Sequence, residues 1–233
     1  MFFYSASYWT YMLPAIGLML IAQLLVSAAY RKWSRVGNST AMTGAEAAQR
    51  LLSYGGLGSV SIEGTRARLG DHYDPRSETL RLSPGVAQGR SVASMAIAAH
   101  EIGHAVQHRE GDLLLRLRAA LVPAVNIGST LGWIMILAGL LLGLQGIAEL
   151  GLIAFSLGAV FALATLPVEF GASSRAKRLL DQAGLMRTQE ERRGVSAVLN
   201  AAAFTYVAGL ATALLQLLYY ASLVGGMGGR RRS

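Results

Sequence analysis

The sequence contains no cysteine among its 233 residues. This absence excludes disulfide bonds and thiolate metal sites, so any bound metal must be held by histidine or carboxylate side chains. Charged residues are also scarce, since they make up 15% of the chain while hydrophobic residues make up 53%. Soluble domains carry about 25% charged residues, so this composition favours a protein that crosses a membrane.

Lysine and arginine are absent from residues 1–30 and again from residues 119–169. The 21 basic residues fall instead into three blocks, within 31–118, 170–198 and 230–232. Such alternation is typical of membrane insertion, in which positive residues stay on the cytoplasmic side. The basic blocks show no interleaved pattern of stacking aromatics, so the net charge of +8 does not indicate a nucleic-acid partner.

Four apolar stretches are long enough to cross a bilayer core, which takes about 20 helical residues. They cover residues 9–30, 121–144, 148–167 and 201–223. The first lacks the basic start of a signal peptide and is followed by basic residues, so we interpret it as a retained anchor with its N-terminus outside. The second and third are joined by a short link and rich in glycine, which predicts a closely packed helical hairpin.

These stretches predict a multi-pass protein of the cell membrane. The basic blocks at 31–118 and 170–198 then lie on one side, which we take to be the cytoplasm. The three arginines at 230–232 would lie outside, and they are the one departure from the positive-inside rule.

One sizeable polar segment lies between the first and second apolar stretches. The residues from Thr43 to Glu46 match a capping box and predict a helix that continues to Tyr54. Alternating apolar residues predict short strands around Val60 and Leu80, and a further helix begins after them. We therefore expect a mainly α fold of about four membrane spans, with a small α+β portion at the membrane surface. All 233 residues would form a single domain.

His100, Glu101 and His104 form a His-Glu-x-x-His motif on that further helix, which begins near Ser91. Histidines four residues apart lie on one helical face, so both imidazoles can reach a single zinc ion. Zinc lowers the pKa of water to about 7. Glu101 is then placed to accept a proton from that water as a general base. The motif therefore predicts Zn²⁺ as the cofactor of a hydrolase.

A catalytic zinc needs a third protein ligand. The metzincin pattern is excluded, because Gln107 and Glu110 occupy the positions of its glycine and histidine. His108 is one candidate, although the helix dipole also favours a histidine at a helix end. Glu169 is the other, since a carboxylate at a bilayer edge is costly unless it is paired, solvated or bound to metal. We favour Glu169, because the predicted hairpin returns it to the membrane face of the His100 helix.

Six motifs follow one another along nearly the whole chain. They are Thr-Gly-Ala-Glu at 43–46, Asp-His-Tyr-Asp-Pro at 71–75, Leu-Arg-Leu-Ser at 80–83, Ala-Ala-His-Glu-Ile-Gly-His-Ala at 98–105, Leu-Pro-Val-Glu-Phe at 166–170 and Leu-Asn-Ala-Ala at 199–202. Together they resemble the YugP-like membrane zinc metallopeptidases. The resemblance implies a zincin-like catalytic portion of the broader gluzincin class, which includes the HtpX-type membrane proteases. In that class a Glu-x-x-Ala-Asp pattern supplies the third ligand.

Glu169 matches the glutamate of this pattern, but Ser173 stands where the pattern has aspartate. The resemblance therefore supports Glu169 as the third zinc ligand. The departure at Ser173 leaves open which group orients a metal-bound histidine, a task usually performed by a carboxylate or a carbonyl.

Three weaker candidates remain. His72 or Tyr73 is a candidate to polarise a substrate carbonyl, although their segment also reads as a polar turn. Arg175 is a candidate to stabilise the oxyanion, although anchoring by the positive-inside rule also explains it. Residues 80–83 would form an exposed edge strand that aligns a peptide by backbone pairing.

The leading prediction is a zinc endopeptidase at the cytoplasmic membrane surface, built from a catalytic segment at 31–118 and a third-ligand segment at 169–198. His100, His104 and Glu169 would hold the zinc. The expected partners are the lipid bilayer and a protein or peptide substrate associated with the membrane. One alternative is a site-2-type intramembrane protease, although the Leu-Asp-Gly motif of that class is absent. Another is a non-catalytic zinc-containing scaffold or assembly factor, although a structural site does not need Glu101.

Overall fold

The structure, a computed structural model, describes residues 6–67 and 70–229. The described helices are α1 (Ala6–Trp33), α2 (Gly44–Tyr54), α3 (Pro84–Ala87), α4 (Val92–Arg109), α5 (Leu113–Leu142), α6 (Gln145–Gln182) and α7 (Gln189–Gly229). Three short strands lie between α2 and α3, namely β1 (Ser61–Gly64), β2 (His72–Asp74) and β3 (Thr79–Leu82). The arginines at 230–232, which we expect to lie outside the cell, fall outside the described residues.

The predicted fold class is confirmed: the described chain is mainly helical and carries one small sheet. Four helices are long and apolar enough to cross a membrane, namely Ala6–Trp33, Leu113–Leu142, Gln145–Gln182 and Gln189–Met227. Each contains or overlaps one predicted apolar stretch. Helix α6 nevertheless continues through Pro167 to Gln182, whereas the apolar stretch ends at residue 167. Prolines are tolerated inside apolar helices, since neighbouring groups satisfy the freed carbonyl.

The chain divides into two compact units. The first contains the described residues of Met1–Ile21, Arg116–Leu166 and Thr205–Ser233, and the second contains Ala22–Leu115 and Pro167–Phe204. The prediction of a single domain over residues 1–233 stays a prediction.

Close backbone contacts between α5 and α6 characterise the first unit. A Cβ atom added at Gly132 would lie 2.5 Å from the backbone nitrogen of Phe155, and one added at Gly139 would lie 2.5 Å from that of Ala148. The turn between the two helices uses Gly143 at a φ of +69°, a conformation that suits glycine. The glycines therefore let the predicted hairpin close, with the helix backbones in near contact.

The hydrophobic core of the second unit forms where α2 packs against α4. Helix α2 begins with the predicted capping box: the Thr43 hydroxyl accepts a hydrogen bond from Glu46 N (3.1 Å), and Thr43 N donates to Glu46 Oε2 (2.7 Å). Leu51 on α2 is fully buried, as are Met95 and Ile102 on α4. Helix α4, on which the His-Glu-x-x-His motif lies, is therefore largely buried in this core.

The three strands form a sheet in the order β1-β3-β2, in which β3 is parallel to β1 and antiparallel to β2. The prediction that residues 80–83 form an exposed edge strand is therefore wrong, because β3 is the central strand and Leu80 and Leu82 are buried. Alternating leucines indicate one buried face but do not indicate which strands pair on either side. Both β2 and β3 contact α4, and β2 is too short to give a sequence pattern.

Candidate metal centre

Two histidines of α4 and one glutamate of α6 face one another in the second unit. His100 and His104 are one helical turn apart on α4. The Nε2 atoms of His100 and His104 lie 3.3 Å and 3.5 Å from Glu169 Oε2. One ligand atom from each residue lies within 4.8 Å of the others, so the three form a cluster able to hold a metal ion. The structure thus brings together the three residues predicted as ligands.

Gly103 allows the two helices to come this close. A Cβ atom at this position would collide with the backbone carbonyl of Ala172 on α6. Both Gly103 and Ala172 are buried, so neither helix can move aside without disturbing the core. The glycine between the two histidines is therefore part of the geometry that sets the distance from His104 to Glu169.

Gln107 orients His104. Its Nε2 donates a hydrogen bond to the backbone oxygen of Val168 (2.9 Å), so its Oε1 is turned to accept from His104 Nδ1 (3.0 Å). The proton of His104 is thereby placed on Nδ1, and the lone pair of Nε2 points towards Glu169. Gln107 is only 1% exposed, which keeps this arrangement dry. Sequence reasoning noted Gln107 only as an obstacle to another motif and missed this role.

Ser173 lies beside the other histidine. Its Oγ is 3.2 Å from His100 Nδ1, and this contact leaves His100 Nε2 turned towards Glu169. Ser173 is the residue that departs from the Glu-x-x-Ala-Asp pattern. In this chain the Ser173 hydroxyl stands where that pattern has a carboxylate, and it contacts His100 Nδ1.

Glu101 is held by strand β2. Its Oε2 accepts a hydrogen bond from the backbone nitrogen of Tyr73 (3.1 Å). The pKa of Glu101 is raised to about 7, chiefly by burial; the charge of His100 opposes this shift, and the neighbouring carboxylate of Glu169 contributes to it. A carboxylate with a pKa near neutrality is suited to accept and return a proton.

Tyr73 also bonds to His108, the alternative candidate ligand. The Tyr73 hydroxyl is 3.0 Å from His108 Nδ1. Burial raises the pKa of Tyr73 to about 12, with smaller contributions from the carboxylates of Glu78 and Asp74. His108 is not a member of the cluster formed by the three candidate ligands.

The proximity of β2 to Glu101 could not be predicted from the sequence, because it depends on how the sheet packs against α4.

The two remaining candidates are engaged elsewhere. His72 is exposed, and its Nδ1 is 2.7 Å from the backbone oxygen of Gly70. Arg175 donates from Nε and Nη2 to Glu110 Oε2 (2.9 Å and 2.6 Å), and Nη2 lies 3.4 Å from Asp112 Oδ2. The structure records no contact from either residue to the cluster, so their catalytic roles stay predictions.

The donor set fits zinc. Two imidazoles and one carboxylate are the ligands of many catalytic zinc sites, which keep a fourth position open for water or substrate. The orienting bonds to Nδ1 of both histidines are the usual companions of such ligands.

A family model described as "Putative neutral zinc metallopeptidase" matches residues 8–225. The chain is 45% identical over 208 residues to a protein of Bacillus subtilis (strain 168) named "Putative membrane protease YugP". That match covers 89% of this chain and 92% of the relative. No solved structure gives a significant match.

Proposed function

The chain belongs to the neutral zinc metallopeptidase family, and on this premise we propose that it is a zinc-dependent endopeptidase of the gluzincin type, embedded in the cell membrane. The observation that carries the proposal is the cluster itself. The imidazoles of His100 and His104 point at Glu169, and Glu101, the residue after His100, is held by the backbone nitrogen of Tyr73.

In this proposal His100, His104 and Glu169 hold the zinc. A bound zinc ion supplies a Lewis acid, which polarises a peptide carbonyl and lowers the pKa of water. Glu101 acts as the general base: its carboxylate takes a proton from the attacking water and passes it to the leaving amine. The hydrogen bond from Tyr73 N fixes that carboxylate in one orientation.

The proposed location is a membrane crossed by α1, α5, α6 and α7, with the active site on the cytoplasmic face. The support is the length and apolar composition of these helices, together with the basic blocks in the segments that supply the site. The proposed substrate is a peptide or protein associated with the membrane. Labelling of single cysteines introduced at Ser53 and Gln145 tests this placement. In the proposed topology Ser53 lies on the cytoplasmic side, after α1, and Gln145 lies on the outer side, because α5 crosses the membrane between them.

Three variants test the protease. Glu101→Gln should keep zinc and lower peptide cleavage by about 100-fold or more, the range that a general base contributes. Glu169→Gln should lower both zinc content and cleavage. Glu149→Gln is the matched control, because it makes the same change on the same helix in the other unit. Zinc content is measured by elemental analysis, and cleavage with a fluorogenic unfolded protein in vesicles.

Full zinc content in the wild-type protein without cleavage of any unfolded or membrane substrate would contradict a protease and favour a zinc-containing scaffold. Unchanged zinc affinity in Glu169→Gln, with zinc lost in His108→Ala, would contradict the ligand assignment instead.

A further inference from the structure

An open cleft lies between α1 and α7, within the second unit. Its volume is about 890 Å³, within the range of small-molecule sites, which is about 300–1,000 Å³. None of the residues of the candidate metal centre lines it. The proposed peptidase chemistry therefore gives this cleft no role.

The end of α1 lies beside the start of α7. A Cβ atom at Gly194 would lie 2.5 Å from the ring of Trp33, and the chain just after α1 is tied to α7 by Ser39, whose backbone nitrogen and hydroxyl both donate to Glu191 Oε1 (2.7 Å and 2.8 Å). The two helices therefore run antiparallel along the cleft. The last turn of α1 and the first turn of α7 form the same end of it.

The cleft is polar at this end and apolar at the other. Lys32 and Arg193 line the polar end. Two to three helical turns away, Leu25 on α1 and Phe204 on α7 line the apolar end. Small side chains between them, such as Ala28, keep the cleft open. A ligand that matches this lining has a charged head and an apolar tail.

The charge of the polar end is positive. Lys32 and Arg193 are both exposed, and neither is ion-paired within residues 6–67 and 70–229. Farther along α7, about one turn before Phe204, Asn200 also lines the cleft and accepts a hydrogen bond from the ammonium of Lys177 (2.9 Å). One carboxylate, that of Glu190, lines it against these cations. The head of the ligand is therefore expected to be an anion.

We propose that this cleft binds one anionic phospholipid of the surrounding bilayer, with its phosphate between Lys32 and Arg193 and an acyl chain along Leu25 and Phe204. Basic pockets between membrane-spanning helices are a known mode of binding anionic headgroups. A free phosphate would leave the apolar end unmatched, which favours a lipid as the source of the anion. The proposal rests on the proposed insertion of α1 and α7 into a membrane, and not on the protease activity.

Trp33 provides a reporter inside the cleft, because it lines the cleft and is one of three tryptophans in the chain. The variant Trp9→Phe/Trp133→Phe leaves Trp33 as the single fluorophore. This protein is reconstituted into neutral vesicles that contain a small, increasing fraction of brominated lipid, either phosphatidylglycerol or phosphatidylcholine. We expect saturable quenching, with half-saturation at an about tenfold lower fraction of the anionic lipid.

Two double variants on this background separate the cleft from general surface charge. Lys32→Gln/Arg193→Gln removes the cations of the cleft and should abolish most of the tenfold preference. Arg31→Gln/Arg35→Gln is the matched control, because it removes two exposed cations that lie next to the cleft without lining it. The control should keep most of the preference. Ala28→Phe should weaken quenching by the anionic lipid several-fold, since it fills the apolar part.

Equal effects of the two double variants, or no effect of Ala28→Phe, would overturn the proposal in favour of diffuse attraction to the surface. Equal quenching by both lipids in the parent would overturn it in favour of a neutral lipid. Flotation of the vesicles shows separately whether the protein is inserted, so a failure of insertion is distinguishable from a failure of lipid binding.

Discussion

The two compact units of this chain use the same packing device for different ends. In the first unit, Gly132 and Gly139 on α5 bring that helix into backbone contact with α6. In the second, Gly103 on α4 brings a later part of α6 equally close. Of these three glycines, only Gly103 is flanked by candidate metal ligands, since His100 and His104 stand on either side of it in the sequence.

A close helix contact and a metal centre have different requirements. The absence of a side chain, at a glycine, is sufficient for a close contact, and such contacts occur in both units. The candidate centre needs, in addition, buried polar groups whose hydrogen bonds are completed, such as Gln107 between His104 and Val168. Buried polar groups are stable only when they are paired, so the candidate centre specifies its geometry more tightly than a contact made by glycine alone.

The largest effect is expected when the contact itself is broken at the centre. Gly103→Ala would place a methyl group against the carbonyl of Ala172, and overpacking of this kind costs about 1–3 kcal/mol. We expect α4 and α6 to separate and relieve this strain, which moves the ligands apart and lowers zinc affinity by about 10- to 100-fold. The change is measured by competition with a zinc chelator, together with peptide cleavage.

Gly139→Ala is the counterpart in the first unit. The added methyl group meets Ala148, so the variant should unfold at a lower temperature while it keeps its zinc affinity per folded molecule. If both variants lost zinc to the same extent, the separation between a packing contact and a chemical contact would be wrong.

A similar loss of zinc affinity, without the packing strain, is expected when the contact is kept and an orienting group is removed. Gln107→Leu removes the acceptor for His104 Nδ1, and loss of such a partner lowers metal affinity by about 10- to 100-fold. Ser173→Ala should lower zinc affinity by about tenfold or less, because the Ser173 hydroxyl, at 3.2 Å from His100 Nδ1, is a weaker partner than the Gln107 amide.

The third member of this series is Ser173→Asp, which installs the residue of the Glu-x-x-Ala-Asp pattern. It should bind zinc at least as tightly as the wild type, since a carboxylate is a stronger acceptor for an imidazole proton. Weaker binding by Ser173→Asp than by Ser173→Ala would show that Ser173 does not orient His100.

Sequence reasoning was strongest where a pattern lies within one helix, either as residues at a helical spacing or as a long apolar run. The four apolar stretches, the capping box at Thr43 and the pair His100 and His104 all have this property. Such patterns are local, because a helix brings residues three or four positions apart onto one face.

The rest could not be predicted, because it depends on which elements pack together. Strand β2 is three residues long, and its place at the edge of the sheet beside Glu101 follows from its pairing with β3. Gln107 carries no motif, and its role appears only when Val168 on α6 supplies the carbonyl that fixes its amide. Glu169 lies between these cases: the predicted hairpin returns it to the correct membrane face, but its distance from His104 depends on tertiary contacts such as the one at Gly103.

The smallest effect is expected when the Tyr73 hydroxyl is removed. This change distinguishes the role of the Tyr73 backbone nitrogen from that of the Tyr73 side chain. Glu101 is held by the backbone nitrogen of Tyr73, which Tyr73→Phe leaves in place. The variant loses one hydrogen bond to His108, worth about 0.5–1.5 kcal/mol of folding stability, and should keep peptide cleavage within about threefold of the wild type. His108→Leu removes the same bond from the other side and should behave alike. A fall of about 100-fold in Tyr73→Phe alone, with zinc retained, would instead show that the hydroxyl acts on the substrate, the role that the sequence left open for this residue.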